Sequence, residues 1–582
     1  MEARADPLQT APASRPALRP TARWARLALV FLLAFTLLRG VIWGSTIPDF
    51  FGPDEDYHFL YMEYLTTQHA LISPKKPLYP FEYGALVPLM RYNDYGYGPR
   101  ASFPGDPHAS VKAAGRFPDS FRKPRLFGRG VGVVHPPLYH LPGALINAAL
   151  GDASVFTRFT VIRWYTALWG VAAVYFAWLL AAQVFRREPL QLLAASLVAL
   201  QPMVAVLSGM ANHDEALIAT FTAALAMMAF MLRSAPRVRQ GAWLGGAITL
   251  AMLVKGSALV LLPLAVLVYA GQALVSRPSR RLLLRSAALA LGVPLLLAGA
   301  WYVRSAIVYG SLFGYTTSVV GGGGTVVRDT SLGHIFSLIH LWTGLTYRTY
   351  WWHWFWYEAP RFSIAYFLPV FIGGLGILGL AKLAFSRART LLAPNQPLLR
   401  QIVLFVAASL AVWLPLMYTD IQKNINGGGF ALTGGRYLLP AYPAVAILLI
   451  VGLRALVRPS AQPLVLSALA AVAAWFCWRA WTVNYLWRYY GDRIKGHGIG
   501  TPRHGGWDEL FRRMSFDRPE FVTATTLEIV FVLMLLCLAA AVVVVGLGAS
   551  GGPRSQAVRD AAGRPFRALR ILSPSRRVTS PS

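Results

Sequence analysis

Residues 24–58, WARLALVFLLAFTLLRGVIWGSTIPDFFGPDEDYH, decide how this chain is built. The stretch 24–45 is an apolar run as long as the roughly 20 residues that a membrane-spanning helix needs. It is too long for the apolar region of a typical signal peptide and is not followed by a clear small-residue cleavage site. It therefore predicts a signal anchor that stays in the mature protein. The acidic triplet Asp54-Glu55-Asp56 follows at the far side of this first span.

Comparable apolar runs recur along all 582 residues, of which 55% are hydrophobic and 14% charged. A soluble chain of this length carries about a quarter charged residues. The predicted spans are 24–45, 158–185, 190–208, 214–232, 240–254, 257–275, 284–303, 363–384, 401–418, 437–456, 462–483 and 523–547. The stretch 137–151 is short and broken by prolines, which favours a juxtamembrane or re-entrant helix. The expected fold class is an all-α polytopic membrane protein with about 12 transmembrane helices and a large first extracytoplasmic loop carrying juxtamembrane helices.

The charge distribution gives the expected orientation. The net charge is +30, and Arg and Lys cluster in the short connections and in both tails. The positive-inside rule then predicts a multi-pass protein of the plasma (bacterial inner) membrane with both termini in the cytoplasm. The same topology accounts for the basic charge without a nucleic-acid partner. Nearly all acids fall outside, which suggests outward-facing chemistry, although long outer loops alone would give the same pattern. Cys477 and Cys537 lie in predicted spans and indicate buried thiols, not a disulfide.

The domain prediction follows from these spans. It comprises a disordered basic cytoplasmic tail (1–23), a transmembrane catalytic module (24–456) with outer loops at 46–157 and 304–362, C-terminal transmembrane helices (457–547) with an outer loop at 484–522, and a second disordered basic tail (548–582).

Two acidic clusters at the outer ends of spans are the candidate catalytic residues. Adjacent carboxylates in Asp54-Glu55-Asp56 repel one another, so at least one pKa is expected to rise and to suit a general base near neutral pH. The second cluster places Asp214 at the mouth of the fourth span. Helix N-capping explains both clusters equally well.

Outward-facing cations and histidines complete the set of candidates. Lys255, Arg304 and Arg436 lie outside against the positive-inside trend, which favours an anionic ligand there. Snorkelling to the membrane surface is the alternative. With the acids, outer histidines such as His58 and His135 suggest a divalent metal ion as a candidate cofactor, but no metal-binding spacing is present and the ligands stay unknown.

Several short motifs in order resemble the GT-C superfamily of membrane glycosyltransferases, over roughly 24–456. They are Pro53-Asp54-Glu55-x-x-His58, His135-Pro136-Pro137-Leu138-Tyr139, Ser208 to Leu217 with Asp214 at its acidic position, Val254-Lys255-Gly256, and Gly435-Arg436-Tyr437-Leu438-Leu439-Pro440. The motif at 135–139 resembles the (K/H)PPLYY stretch of the protein mannosyltransferases and the aminoarabinose transferase. The motif at 435–440 is similar to GRYLLP of an uncharacterised bacterial branch. The acidic triplet, and His213 and Glu215 beside Asp214, depart from the family pattern.

The resemblance implies a glycosyltransferase that moves a sugar from a polyprenyl-phosphate donor to a glycan, lipid or protein acceptor on the extracytoplasmic face, with inversion. It implies that Asp54, or alternatively Glu55, is the base and that Asp214 is a second acidic residue. Lys255, Arg436 and Arg304 are the candidates for binding the donor phosphate, and His58, His135 and Tyr139 are further site candidates. A transporter or flippase of lipid-linked glycans is the alternative, but the span centres carry few acids, which disfavours ion-coupled transport.

Overall fold

The computed structural model describes residues 22–52, 54–71, 78–80, 106–114, 124–126, 135–276, 278–312, 331–351, 367–391, 393, 396–425, 434–490 and 506–549. The predicted basic tails, Gly321–Gly324 and most of the aromatic run 347–358 lie largely or wholly outside these residues. The α-helices are Arg23–Thr46, Glu55–Gln68, Ala109–Ala114, His140–Leu150, Val155–Val184, Glu188–Ala199, Pro202–Ser208, Asp214–Met231, Val238–Val254, Leu261–Ser276, Arg280–Leu297, Gly299–Tyr309, Leu332–Trp351, Phe367–Arg387, Pro397–Ile425, Tyr442–Leu456, Gln462–Arg479, Trp487–Tyr490, Gly506–Met514 and Ala524–Ala549. Short 3-10 helices span Gly256–Val260, Ala388–Thr390 and Gly435–Ala441, and a π-helix spans Ala480–Leu486.

The membrane-spanning helices agree with the predicted runs. Within the described residues, 10 helices are long and apolar enough to cross a membrane, and a pair bent by 66°, Glu188–Ala199 with Pro202–Ser208, raises the number to 11. The shorter apolar helix Val238–Val254 corresponds to the remaining predicted run. The stretch 137–151 forms the 11-residue helix His140–Leu150, too short to span. The polytopic helical fold class is confirmed.

Long helices pack in pairs. The first helix, Arg23–Thr46, lies along the last, Ala524–Ala549, and Phe367–Arg387 lies along Tyr442–Leu456. In the second pair, a Cβ added to Gly379 would stand 1.8 Å from the carbonyl oxygen of Gly452. Such contact between backbones requires glycine, and small residues at helix interfaces are a common way for membrane helices to approach closely.

The segment that follows the first span carries the helices that position the site. Helix Glu55–Gln68 packs against His140–Leu150, as expected for juxtamembrane helices. The strands Leu78–Pro80 and Pro124–Leu126 pair antiparallel, a small element that the all-α expectation did not include. Before the last span, helix Gly506–Met514 leads into Arg518, whose guanidinium donates to the carbonyl oxygens of Ser45 and Ile47 at the end of the first span. Cys477 and Cys537 are free thiols, as predicted.

Candidate active site

Four charged residues that are far apart in sequence meet at one place. Asp54 precedes helix Glu55–Gln68, and Asp214 begins helix Asp214–Met231. Lys255 lies at the break after helix Val238–Val254, and Arg436 lies in the 3-10 helix Gly435–Ala441. We call these four side chains the ion-pair network.

Arg436 and Asp214 are the centre of the ion-pair network. The Arg436 Nη2 atom lies 2.6 Å from Asp54 Oδ2, and its Nε atom lies 3.4 Å from Asp214 Oδ2. Lys255 Nζ lies 2.5 Å from Asp214 Oδ1. Two cations therefore share one buried carboxylate, and a second carboxylate binds one of them.

Tyr437 supports both cations. Its ring lies 4.3 Å from Lys255 Nζ and 4.7 Å from the guanidinium carbon of Arg436. Arg436 Nη2 also donates a 2.7 Å hydrogen bond to the Tyr437 hydroxyl. Cations over an aromatic face gain electrostatic attraction, so this ring stabilises the side-by-side arrangement of the two cations.

The backbone around Arg436 is fixed by a close helix contact. A Cβ added at Gly435 would lie 2.3 Å from the carbonyl oxygen of Thr346 in helix Leu332–Trp351. The Gly435 amide donates a 2.6 Å hydrogen bond to the hydroxyl of Thr349 on the same helix. Only glycine fits here, and the contact fixes the position of the backbone from which the Arg436 side chain reaches the network.

The side chains of Asp54 and Asp214 do not make the hydrogen bonds that helix N-capping would require of them. Asp54 occupies the N-cap position with a left-handed φ of 59°, but its side chain makes no capping hydrogen bond. Glu55 accepts from the Gly52 amide instead, at 2.7 Å. At the second cluster the Asn212 side chain accepts from the Asp214 amide at 2.8 Å. Both candidate carboxylates are left to the cations, and the left-handed Asp54 is a strained backbone position of the kind found at functional sites.

Glu55 has a different setting from Asp54, although the two are adjacent. Its Oε1 and Oε2 accept from Arg163 Nε at 2.9 Å and Nη2 at 2.6 Å, and Oε1 also accepts from the Ala211 amide at 2.7 Å. Glu55 is fully buried. Arg163 also bonds the carbonyl oxygens of Gly44, Ile47 and Pro48 and the carboxylate of Asp49. Both carboxylate oxygens of Glu55 are thus engaged in holding the C-terminal end of the first span.

Three histidines form a hydrogen-bonded chain beside Asp214. His140 Nδ1 lies 3.3 Å from the Pro136 carbonyl oxygen, His58 Nδ1 lies 2.9 Å from His140 Nε2, and His213 Nδ1 lies 2.8 Å from His58 Nε2. A carbonyl oxygen only accepts, so each Nδ1 along the chain is the donor. The chain therefore ends on an unprotonated His213 Nε2, 3.9 Å from Asp214 Oδ1.

Burial keeps the histidine chain neutral and favours protonation of Asp56. Burial lowers the pKa of His58 and His213 well below the usual value, and the positive charge of Lys255 acts in the same direction. Burial, with Asp54 and Glu55 nearby, raises the pKa of Asp56 to about 6. The prediction that one acid of the triplet has a raised pKa is confirmed, with desolvation as the larger cause.

The residues in this arrangement do not present a metal site. Asp54 and Asp214 bind cationic side chains, and both nitrogens of His58 bind other histidines. Within the part of the chain that the structure describes, no group of three or more His, Cys, Asp or Glu is placed to hold a metal ion.

Three other predicted candidates have settings of their own. The Arg304 guanidinium lies over the rings of Trp301 and Tyr309, at 5.0 and 5.9 Å. The Tyr139 hydroxyl lies 2.6 Å from the hydroxyl oxygen of Thr166 in the interior. The His135 ring lies 4.3 Å from the His213 ring, beside the histidine chain.

Arg163, Tyr437 and the histidine chain were not recognised from the sequence. Arg163 lies in an apolar run, and a charged residue within a span is itself a functional signal. Tyr437 follows Arg436 directly but has no charge to single it out. The chain from His213 to His140 joins residues distant in sequence, and one sequence has no periodicity that would reveal it.

Comparison with known proteins places these residues in context. Residues 134–303 match the family model described as dolichyl-phosphate-mannose-protein mannosyltransferase. Over these residues the chain resembles that family, in line with the resemblance to the protein mannosyltransferases stated from the sequence motifs. The matched segment includes Asp214, Lys255 and the histidines at 135, 140 and 213. Asp54 and Arg436 lie outside it. No curated protein matches the chain.

A partial likeness to several solved structures was also found. The oligosaccharyltransferase of Archaeoglobus fulgidus in its apo form is 14% identical with a TM-score of 0.43, over 85% of this chain and 64% of that one. Its complex with zinc and sulfate has a TM-score of 0.39 at 14% identity, over 82% of this chain and 55% of that one. ArnT from Cupriavidus metallidurans, bound to undecaprenyl phosphate, is 16% identical with a TM-score of 0.38, over 88% and 78%. The chain spans less than two thirds of the two archaeal chains.

Proposed function

We propose that this protein is a glycosyltransferase that moves a sugar from a polyprenyl-phosphate donor to an acceptor hydroxyl on the extracytoplasmic face of the membrane. The observation that carries the proposal is the ion-pair network, in which four segments bring two cations and two carboxylates together. The match of residues 134–303 to a family described as using a dolichyl-phosphate sugar supports the same donor class.

The cations are the proposed binding groups for the donor phosphate. Arg436 presents a planar fork of donors, which suits phosphate oxygens, and Lys255 adds a point charge. As the bond between the anomeric carbon and the phosphate oxygen breaks, negative charge grows on the leaving phosphate. Fixed cations placed beside that charge lower the barrier, because they need no reorganisation during the reaction.

Asp54 is the proposed base. The acceptor oxygen attacks the anomeric carbon, its proton passes to the Asp54 carboxylate, and polyprenyl phosphate leaves with inversion at the sugar carbon. Asp54 has the exposure that this role needs, because 40% of its side chain is accessible, whereas Glu55 is buried in its ion pair. Asp214 holds Lys255 and Arg436 in register and is a positioning residue in this scheme.

The deciding experiment is complementation of a deletion strain, read out by mass spectrometry of surface glycans. Wild-type protein is expected to restore a glycan that the deletion strain lacks, and Asp54→Asn at the same membrane level is expected not to. Glu520→Gln is the matched control, because Glu520 is exposed and lies outside the network. Full restoration by Asp54→Asn would remove Asp54 from the role of base.

The transport alternative is separated by a second assay. Purified protein in liposomes is expected to cleave the sugar–phosphate bond of a labelled lipid donor when an acceptor is supplied. Movement of the intact lipid between leaflets without cleavage would favour a flippase.

A further inference from the structure

Asp54 is the most exposed member of the ion-pair network and is bound to the buried Arg436. Its side chain is 40% exposed, whereas the side chains of Asp214, Lys255 and Arg436 are 5%, 11% and 7% exposed. Asp54 is therefore the member of the network that is most open to exchange with an incoming anion. The Asp54 carboxylate already occupies a donor of Arg436 that an incoming phosphate would use.

The charges within the network are balanced in this state. Asp54 and Asp214 contribute two negative charges, and Lys255 and Arg436 contribute two positive ones. A sugar joined to a polyprenyl phosphate is a phosphodiester with one negative charge. When Asp54 turns away, the remaining three side chains carry one net positive charge, which matches such a donor.

The cations keep their supports when Asp54 leaves. Lys255 stays on Asp214, and Arg436 stays between Asp214 and the Tyr437 hydroxyl. Asp54 is held less firmly. Within the described residues its side chain hydrogen bonds to Arg436 and makes no capping bond, and its backbone has a strained φ of 59°. Asp54 is thus the member of the network that an anion displaces at least cost.

We propose that Asp54 is a latch on the phosphate site, displaced from Arg436 by the donor phosphate. This inference rests on the proposed function and adds an order of events to it. Donor binding releases the base, so that the carboxylate becomes available to an acceptor hydroxyl once a donor is in place. An acceptor that arrives first finds the carboxylate still engaged with Arg436.

The test is the affinity of the purified protein for undecaprenyl phosphate in mixed micelles, with no sugar and no acceptor. Asp54→Asn and Asp54→Gly both remove the competing charge, and both residues tolerate a left-handed backbone. Each is expected to bind undecaprenyl phosphate about three- to tenfold more tightly than wild type, the range that a partly exposed, charge-assisted ion pair contributes. Glu520→Gln is expected to bind as wild type does, and the unfolding midpoint of every variant is measured to verify its fold.

The outcomes separate the latch from the function on which it rests. Equal or weaker binding by both Asp54 variants would overturn the latch, while the phosphate site itself would stand if Arg436→Gln lowers affinity. Wild-type affinity in Arg436→Gln would instead overturn the assignment of Arg436 to the phosphate. Tighter binding by the two Asp54 variants, together with weaker binding by Arg436→Gln, supports both.

Discussion

Replacing Glu55 by Gln tests whether this residue holds the fold or performs chemistry. The Glu55 carboxylate accepts four hydrogen bonds, from Arg163 Nε and Nη2 and from the amides of Gly52 and Ala211. A glutamine keeps one oxygen but replaces the other with an NH2 group, which would point at the N–H donors that the carboxylate accepted from. Two bonds to a charged group are lost, at about 1.5–3 kcal/mol each. Breaking a buried ion pair from one side gives a similar figure, about 3–5 kcal/mol.

We therefore expect Glu55→Gln to lose about 3–5 kcal/mol of unfolding free energy, measured by equilibrium unfolding in mixed micelles. Glu520→Gln is the matched control and is expected to change stability by less than about 0.5 kcal/mol, because Glu520 is exposed. A Glu55→Gln protein as stable as the control would refute the account of the buried network. A stable Glu55→Gln protein without sugar transfer would give Glu55 a chemical role, and the Asp54→Asn variant would then decide which of the two carboxylates is the base.

Three further predictions concern other parts of the site. Burial raises the pKa of Asp56 to about 6, so ionisation of this group lowers the free energy of unfolding as pH rises from about 4 to 6. Asp56→Asn is therefore expected to be more stable than wild type by about 1–3 kcal/mol above pH 6. Thermal unfolding from pH 4 to 8 checks this, and a gain that persists at pH 4 would contradict it. Gly435→Ala is expected to lower affinity for undecaprenyl phosphate about tenfold, because its Cβ meets the Thr346 carbonyl oxygen and overpacking of this kind costs about 1–3 kcal/mol. Gly434→Ala, whose Cβ is 3.8 Å from the nearest atom, is the control. Arg518→Met is expected to lower the unfolding midpoint, because it leaves the buried Asp49 with fewer partners; an unchanged midpoint would show that Arg163 alone suffices.

The sequence predicted the spans well because the membrane imposes a strong, local rule. Each span must be a helix with an apolar surface of fixed length, so a run such as 214–232 can be read without its neighbours. The short run 240–254 is also a helix, and its 17 residues fall short of the roughly 20 that a span needs. The pairing of 78–80 with 124–126 depends on chain folding between them, and no local pattern announced it.

The candidate site was predicted in part, and the division has a physical reason. Asp54 and Asp214 stood out as acids at the ends of spans, and Lys255 and Arg436 as cations against the positive-inside trend. The structure brings all four together. The difference between Asp54 and Glu55 was not predictable. Both lie in one acidic triplet, and their settings differ because Arg163, 108 residues further on, binds only the second. Contacts across such separations depend on helix packing, which one sequence does not encode in a readable pattern.

The two arginines that bind Asp49 have a consequence for how the protein is made. Arg163 and Arg518 both bind this buried carboxylate, and Arg518 is 469 residues away from it in the chain. During synthesis, Asp49 therefore lacks its second arginine until the chain has been extended as far as Arg518. Until then Asp49, which precedes the acidic triplet in the chain, is bound by Arg163 without Arg518. Completion of these ion pairs is thus tied to synthesis of the C-terminal segment, and a nascent chain that stops before Arg518 lacks one of the two arginines that bind Asp49.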